Sequence, residues 1–117
     1  MQISVTGRHM DITDAICDYT YDKLQQALAE FPRVDSVHVI LDVEKYRHVA
    51  EVVIHAPNHI LVEAREVSDD MYVSIDGATE KGARQLRKHW DKMSDHKSRE
   101  KLGQLEAKAE SDSGAML

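Results

Sequence analysis

Hydrophobic and polar residues alternate in four segments of the chain, and this alternation predicts four β-strands. The segments are "QISVT" from Gln2, "SVHVILDVEKY" from Ser36, "HVAEVVIHA" from His48 and "HILVEAREV" from His59. Because side chains alternate between the two faces of a strand, each segment places its apolar residues on one side. The pattern is typical of a sheet that is covered on one face only.

Two further segments place apolar residues at helical spacing. The first runs from Asp14 to about Glu30, with Thr13 as the expected N-cap and Pro32 as the expected stop. The second begins with "DMYVSIDGATEKGARQLRKHW" at Asp70 and fades after Met93. Its predicted core stripe comprises Tyr72, Ile75, Thr79, Gly82, Ala83, Leu86, Trp90 and Met93. Its N-cap is expected among residues 68–70.

The element order is therefore β-α-β-β-β-α, which predicts an α+β fold. A four-stranded sheet with two helices packed on one face is the simplest arrangement that buries these apolar faces. This arrangement is similar to a double-stranded-RNA-binding domain. We expect one domain over residues 1–95 and a polar, mobile tail over residues 96–117.

Charge is distributed unevenly along the chain. The formal net charge of the whole chain is -6. Residues 81–101, however, contain 8 Lys and Arg against 3 Asp and Glu, a local net charge of +5. On a helical wheel, four cations lie opposite the core stripe, and we call them the helix cation row: Lys81, Arg84, Lys88 and Lys92. Arg87 lies on the flank.

A solvated charged face is the common explanation for such a row. The alternative is contact with phosphates, since arginine binds phosphate oxygens bidentately and lysine acts as a point charge. No aromatic residue lies on the basic face of this helix, so recognition of the backbone of structured RNA is expected rather than base stacking.

Other chemistry finds little support in the sequence. Seven histidines form no known metal-binding motif, and the single cysteine, Cys17, is expected to be a half-buried small hydrophobe. No nucleophile motif or phosphate-binding glycine loop is present. We therefore expect no enzyme activity, no cofactor, no metal and no small-molecule substrate. The absence of a signal-like N-terminus and of a long apolar run favours a cytoplasmic protein without a membrane partner.

Particular strings in the chain resemble the ribosome hibernation factors, the family of the short hibernation-promoting factor and the ribosome-associated inhibitor. They are "DMY" and "ID" early in the last helix, "ARQL" followed by "KH" later in it, "ITDA" at Ile12–Ala15, and "VILDVEK" over residues 39–45. The resemblance covers residues 1–95 in order.

The resemblance implies binding to the small ribosomal subunit between its head and body, across the sites of mRNA and of the A- and P-site transfer RNAs. Idle ribosomes would be silenced reversibly, under stress or in stationary phase, by occupancy without chemistry. Ribosomal RNA would then be contacted by the helix cation row and, with it, by Arg87, Lys23, Arg8, Lys45 and Arg47. Ribosomal proteins are possible further partners.

The chain also departs from the resemblance. Its first helix is acidic, with Asp14, Asp18 and Asp22 and only Lys23 as a counterweight. A general structured-RNA-binding module and a protein-interaction adaptor using the acidic helix therefore remain alternatives. The sequence does not decide between pairing of ribosomes and retention of inactive single ribosomes.

Overall fold

The computed structural model describes the backbone of residues 1–102 and the side chains of residues 1–91. Its elements are β1 (Gln2–Arg8), α1 (Asp14–Ala27), β2 (Ser36–Glu44), β3 (Arg47–Ala56), β4 (Ile60–Ser68) and α2 (Met71–Leu102). The predicted β-α-β-β-β-α order is confirmed. Two compact units are distinguished, Met1–Leu86 and a second unit that begins at Arg87. Helix α2 continues past the expected domain boundary at residue 95, to Leu102. The rest of the expected tail, residues 103–117, lies outside the described residues.

The four strands form one sheet in the order β1-β2-β3-β4. Strand β1 pairs with β2 in parallel, whereas β2–β3 and β3–β4 are antiparallel. Helix α1 provides the crossover that a parallel pair requires. As a consequence, the carboxyl ends of β1, β2 and β4 share one end of the sheet with the β2–β3 turn, and both helices begin at that end.

One face of the sheet and the inner sides of both helices form the core of the Met1–Leu86 unit. The strands contribute Val37, Val39, Leu41, Ala50, Val52, Ile54, Val62 and Ala64, the helices contribute Leu24, Ile75, Ala78, Ala83 and Leu86, and Leu28 follows directly after α1, all of them buried. Complete burial of a Val, Leu or Ile side chain stabilises a fold by roughly 1.5–3 kcal/mol. The predicted placement of two helices on one sheet face is confirmed.

Side-chain caps define where the helices begin. The Thr13 hydroxyl accepts a hydrogen bond from the Ile16 amide at 3.1 Å, which confirms the predicted cap of α1. The Asp70 carboxylate accepts one from the Tyr72 amide at 2.9 Å, so Asp70 is the cap among the three candidates. The buried Ser74 hydroxyl donates to the His48 carbonyl at 2.6 Å and so ties the first turns of α2 to β3.

Three local expectations were wrong. Helix α1 ends at Ala27, before the predicted stop, because the chain turns through residues 28–30 ahead of Pro32. Strand β2 ends at Glu44 rather than at Tyr46, because Lys45 adopts a positive φ of 55° that reverses the chain. Tyr72 is 38% exposed rather than part of the core, although its ring packs edge-on against Tyr19 with centroids 4.8 Å apart.

Helix α2 approaches the sheet closely at a buried glycine. A Cβ atom on Gly82 would lie 3.1 Å from Ile54 Cδ1 and 3.8 Å from both Ala64 Cβ and Val52 Cγ1. Glycine in a helix costs about 1 kcal/mol relative to alanine. The close helix–sheet packing seen here is the compensation that the sequence led us to expect.

Replacing Gly82 with valine should therefore lower the free energy of unfolding by about 2 kcal/mol or more, because the branched side chain has no room beside Ile54. The matched change Gln85→Val, at an exposed position of the same helix, should cost no more than about 0.5 kcal/mol. Urea denaturation followed by circular dichroism measures both. Equal, small losses in the two variants would contradict the close-packing interpretation.

Candidate nucleic-acid interface

The helix cation row lies on α2, where helical geometry separates it from the buried stripe. In the Met1–Leu86 unit, Lys81 and Arg84 are both exposed. In the unit that begins at Arg87, Arg87 and Lys88 are exposed as well. Lys92 belongs to α2, but its side chain lies outside the described residues. Among residues 1–91, Arg84 and Lys88 have no hydrogen bond or ion pair, so their charges are available to an external anion.

Lys81, in contrast, is held by the neighbouring strand. Its ammonium lies 2.6 Å from a Glu66 carboxylate oxygen and donates to the Arg65 carbonyl at 3.1 Å. Gly77 makes room for this arrangement, because a Cβ atom there would lie 2.7 Å from Glu66 Cγ. The positive charge of Lys81 is thus partly neutralised within the fold.

Lys23 lies between the two helices and is also compensated. Its ammonium is 3.7 Å from an Asp76 carboxylate oxygen and 3.9 Å from a Glu80 oxygen. The same Asp76 accepts a hydrogen bond from the Tyr19 hydroxyl at 2.6 Å. This hydrogen bond, followed by burial and the negative charge of Asp76, raises the pKa of Tyr19 to about 12. Lys23 therefore has a structural role that the sequence did not indicate.

The remaining predicted cations lie at the end of the sheet where the β2–β3 turn is found. Arg8 is opposite Asp42 in the register of β1 with β2, Lys45 lies in the turn, and Arg47 follows it at the start of β3. His9 Nδ1 donates to the Asp42 carboxylate at 3.0 Å, and chiefly through this hydrogen bond the pKa of Asp42 is held below its usual value. Arg8, Lys45 and Arg47 are all exposed.

The predicted residues therefore do not form a single patch. Ser74 of α2 contacts His48 near the turn end of the sheet, and Arg84 follows ten residues later along the helix. At about 1.5 Å per residue, Arg84 is displaced from that end by roughly 15 Å along the helix axis. Within the Met1–Leu86 unit, the predicted cations that are exposed and form no described ion pair fall into a helix group, represented by Arg84, and a strand-end group of Arg8, Lys45 and Arg47.

Two exposed residues were missing from the predicted set. Tyr46, between Lys45 and Arg47, is 87% exposed at the β2–β3 turn. Arg65 lies on the uncovered face of the sheet, opposite Glu51 in the β3–β4 register. The sequence placed Tyr46 both at the end of the segment "SVHVILDVEKY" and in the link expected near Lys45–His48, where Lys45 and Arg47 but not Tyr46 were predicted as contact residues.

The described part of the chain offers no metal-binding cluster and no membrane-spanning helix. No group of three or more His, Cys, Asp and Glu side chains is arranged to hold a metal ion among the described residues. Cys17 is half-buried, as expected. Neither described helix has a stretch long and apolar enough to cross a membrane.

The fold and the exposed cations define a class of small α+β domain that ends in a long helix with basic residues. The chain belongs to the family described as Sigma 54 modulation protein / S30EA ribosomal protein, whose sequence pattern matches residues 3–94. It is 38% identical over 96 residues to the ribosome hibernation promoting factor of Escherichia coli (strain K12), an alignment that covers 82% of this chain and all of that relative. The predicted resemblance is confirmed.

Other relatives and solved structures agree with this assignment. The ribosome hibernation promoting factor of Pseudomonas putida is 35% identical over 93 residues, which cover 80% of this chain and 90% of that relative. A ribosomal subunit interface protein from Coxiella burnetii superposes with a TM-score of 0.73 at 27% identity, covering 78% of this chain and 99% of that one. The N-terminal domain of Thermus thermophilus Protein Y gives a TM-score of 0.69 at 30% identity, with 76% and 99% covered.

The Tyr19–Asp76 hydrogen bond makes a pH-dependent contribution to stability. The pKa of Tyr19 is about 12 in the folded chain, whereas the ordinary value for tyrosine is 10.0. The contribution of this hydrogen bond to the free energy of unfolding is therefore complete below about pH 10 and is lost as the pH rises towards 12. Tyr19→Phe should lower the free energy of unfolding by about 1 kcal/mol at neutral pH. The difference from the unmodified chain should shrink over that alkaline window, as followed by denaturant unfolding at a series of pH values. A constant difference would contradict the assignment.

Proposed function

We propose that this protein is a ribosome hibernation factor that binds the small ribosomal subunit in the cytoplasm and silences idle ribosomes reversibly. It occupies the channel between head and body that otherwise holds mRNA and the A- and P-site transfer RNAs. Inhibition is steric and electrostatic, and no covalent chemistry takes place. The observation that carries the proposal is the match over the whole length of a ribosome hibernation promoting factor.

The charge distribution supports ribosomal RNA as the surface that is contacted. Arg84 in the Met1–Leu86 unit and Lys88 in the unit that begins at Arg87 are each exposed, and neither side chain has an ion-pair partner among residues 1–91. Each cation can therefore contact an RNA phosphate. Cations that replace condensed counterions on RNA bind with an affinity that falls steeply with salt.

The overall acidity of the chain does not oppose this mechanism. Electrostatic interactions between exposed charges are screened beyond about 8 Å at physiological ionic strength. The carboxylates of Asp14, Asp18 and Asp22 are exposed on α1 rather than on α2. Local positive charge on α2 therefore determines the interaction of that helix with RNA, and the acidic side of α1 is oriented towards solvent or ribosomal protein in the complex.

Replacing both Arg84 and Lys88 with alanine should weaken binding to purified small subunits by about 2 kcal/mol or more, at roughly 1 kcal/mol per lost phosphate contact. The slope of log affinity against log salt should become shallower by about 1.5, since two phosphate contacts are lost. Sedimentation through sucrose gradients at several salt concentrations measures both quantities. The same gradients distinguish inactive single ribosomes from paired ribosomes.

The matched control is Gln85→Ala with His89→Ala, which removes two exposed side chains of the same helix, also one turn apart. This control should bind like the unmodified chain. Failure of the unmodified chain to sediment with small subunits at low salt would reject the proposed function. Equal binding to a free RNA duplex would favour a general RNA-binding module instead.

The ion pair of Lys81 with Glu66 predicts a variant that binds more tightly. Glu66→Gln removes the carboxylate that neutralises Lys81, and affinity for small subunits should rise by up to about 1 kcal/mol, the range of an exposed ion pair. Glu63→Gln is the control, because it removes the same charge from the opposite face of the same strand. The gain should disappear when Lys81 is also replaced with alanine. A similar gain for Glu63→Gln would assign the effect to net charge alone.

A further inference from the structure

Tyr46 is far more exposed than any other large hydrophobic residue among those described. Its side chain is 87% exposed, whereas the next values are 53% for Val73 and 51% for Leu61. Single exposed hydrophobic residues are common on protein surfaces and need no special explanation. Tyr46 is distinguished by where it lies and by what surrounds it.

The turn that carries Tyr46 projects from a well-anchored hairpin. Strands β2 and β3 pair without interruption from Ser36–His55 to Glu44–Arg47, which leaves a two-residue loop of Lys45 and Tyr46. Pairing of β1 with β2 stops at Asp42, and pairing of β4 with β3 stops at His48. Residues 44–47, the hairpin tip, therefore extend beyond both neighbouring strands.

The backbone of the hairpin tip is unusual for its sequence. Lys45 has a φ of 55°, and Tyr46 has no positive φ. A two-residue hairpin loop with positive φ only at its first position normally has glycine there. Lys45 therefore keeps a charged side chain at a position where glycine would relieve backbone strain, and strain of this kind is concentrated at functional sites.

The charges around the ring favour a polyanion. Lys45 and Arg47 flank Tyr46 in sequence, and neither side chain makes a hydrogen bond or ion pair with any residue described here. Glu44 is paired with Arg47 in the strand register, so residues 44–47 carry two positive charges and one negative, a net charge of +1. Lysine and arginine bind phosphates, whereas a tyrosine ring provides a flat surface on which a base can stack.

The shape of the tip also argues against a protein partner. Stable protein–protein interfaces bury about 800 Å² on each side and centre on clustered apolar residues. Tyr46 is a single ring on a narrow projection, and its neighbours are charged. A projection of this kind fits between unpaired nucleotides, where bases in loops and bulges are splayed away from the helix.

We propose that Tyr46 stacks on an unpaired base of ribosomal RNA, while Lys45 and Arg47 contact the phosphates on either side of that nucleotide. This inference rests on the proposed function, since it places the hairpin tip against the small subunit. It adds base stacking at the turn end of the sheet to the backbone contacts proposed for the helix cation row. The helix alone gave no reason to expect stacking.

The test compares four substitutions of Tyr46 in the full chain by affinity for purified small subunits. Tyr46→Ala should weaken binding by about fivefold to a hundredfold, the range for loss of one stacked base. Tyr46→Phe and Tyr46→Trp should retain binding, because both keep an aromatic ring. Tyr46→Leu keeps the hydrophobicity without the ring and should bind as weakly as the alanine variant.

Two further measurements separate stacking from other contacts. The salt dependence of Tyr46→Ala should match that of the unmodified chain, whereas Lys45→Ala should make the slope shallower by about 0.7 for its lost phosphate. Chemical probing of the ribosomal RNA should find one unpaired base that is protected by the unmodified chain and reactive with Tyr46→Ala. Because the side chain is so exposed, the unfolding midpoint of Tyr46→Ala should not change.

Each contrary result has a definite meaning. Binding of Tyr46→Ala at the unmodified affinity would overturn the inference while leaving the proposed function in place. Full binding by Tyr46→Leu would assign the contact to an apolar protein surface and would equally overturn it. Absence of any binding by the unmodified chain would reject the proposed function itself and, with it, the stacking contact.

Discussion

The close approach of helix α2 to strands β3 and β4 is the constraint on which the rest of the structure depends. A Cβ atom on Gly82 would lie 3.1 Å from Ile54 Cδ1, so a larger residue would require Ile54 to shift. Because Gly82 faces the sheet, helical geometry turns Arg84 outward two positions later. Packing of the core and exposure of the charge are therefore consequences of the same helix orientation.

Ion pairs within the fold decide which cations are available to a partner. Lys81 is paired with Glu66, and Lys23 bridges Asp76 and Glu80 between the two helices. These exposed or half-exposed pairs contribute little stability, at most about 1 kcal/mol each. They nevertheless lower the local positive charge, so that a count of lysines and arginines overstates the anion-binding capacity of the surface. A ribosome that attracts Lys81 must first compete with Glu66.

Much of the fold followed from the sequence because the signals were periodic and local. Alternation identified all four strands. The Thr13 cap was predicted because a threonine hydroxyl before a helix can accept a hydrogen bond from a backbone amide of the first turn. Strand order and the ion pairs of Lys23 and Lys81 depend on contacts between distant segments, and no local pattern encodes them. Tyr46 was missed as a contact residue for another reason. The apolar alternation of β2 stops at Val43, and no Gly or Pro marks the turn in the link expected near Lys45–His48, so only the positive φ of Lys45 shows where the chain reverses. Sequence reasoning therefore found the helix group of the candidate interface and missed the aromatic residue of the strand-end group.

The separation of the two exposed groups also bears on how an acidic protein can hold a polyanion. A single dense basic patch would bind any nucleic acid in proportion to its charge density, because counterion release is insensitive to sequence and shape. Two smaller groups, displaced by roughly 15 Å along α2, are satisfied together only by a surface that presents phosphates at both places. Under the proposed function, modest charge at two separate positions would favour one folded RNA surface over nucleic acid in general.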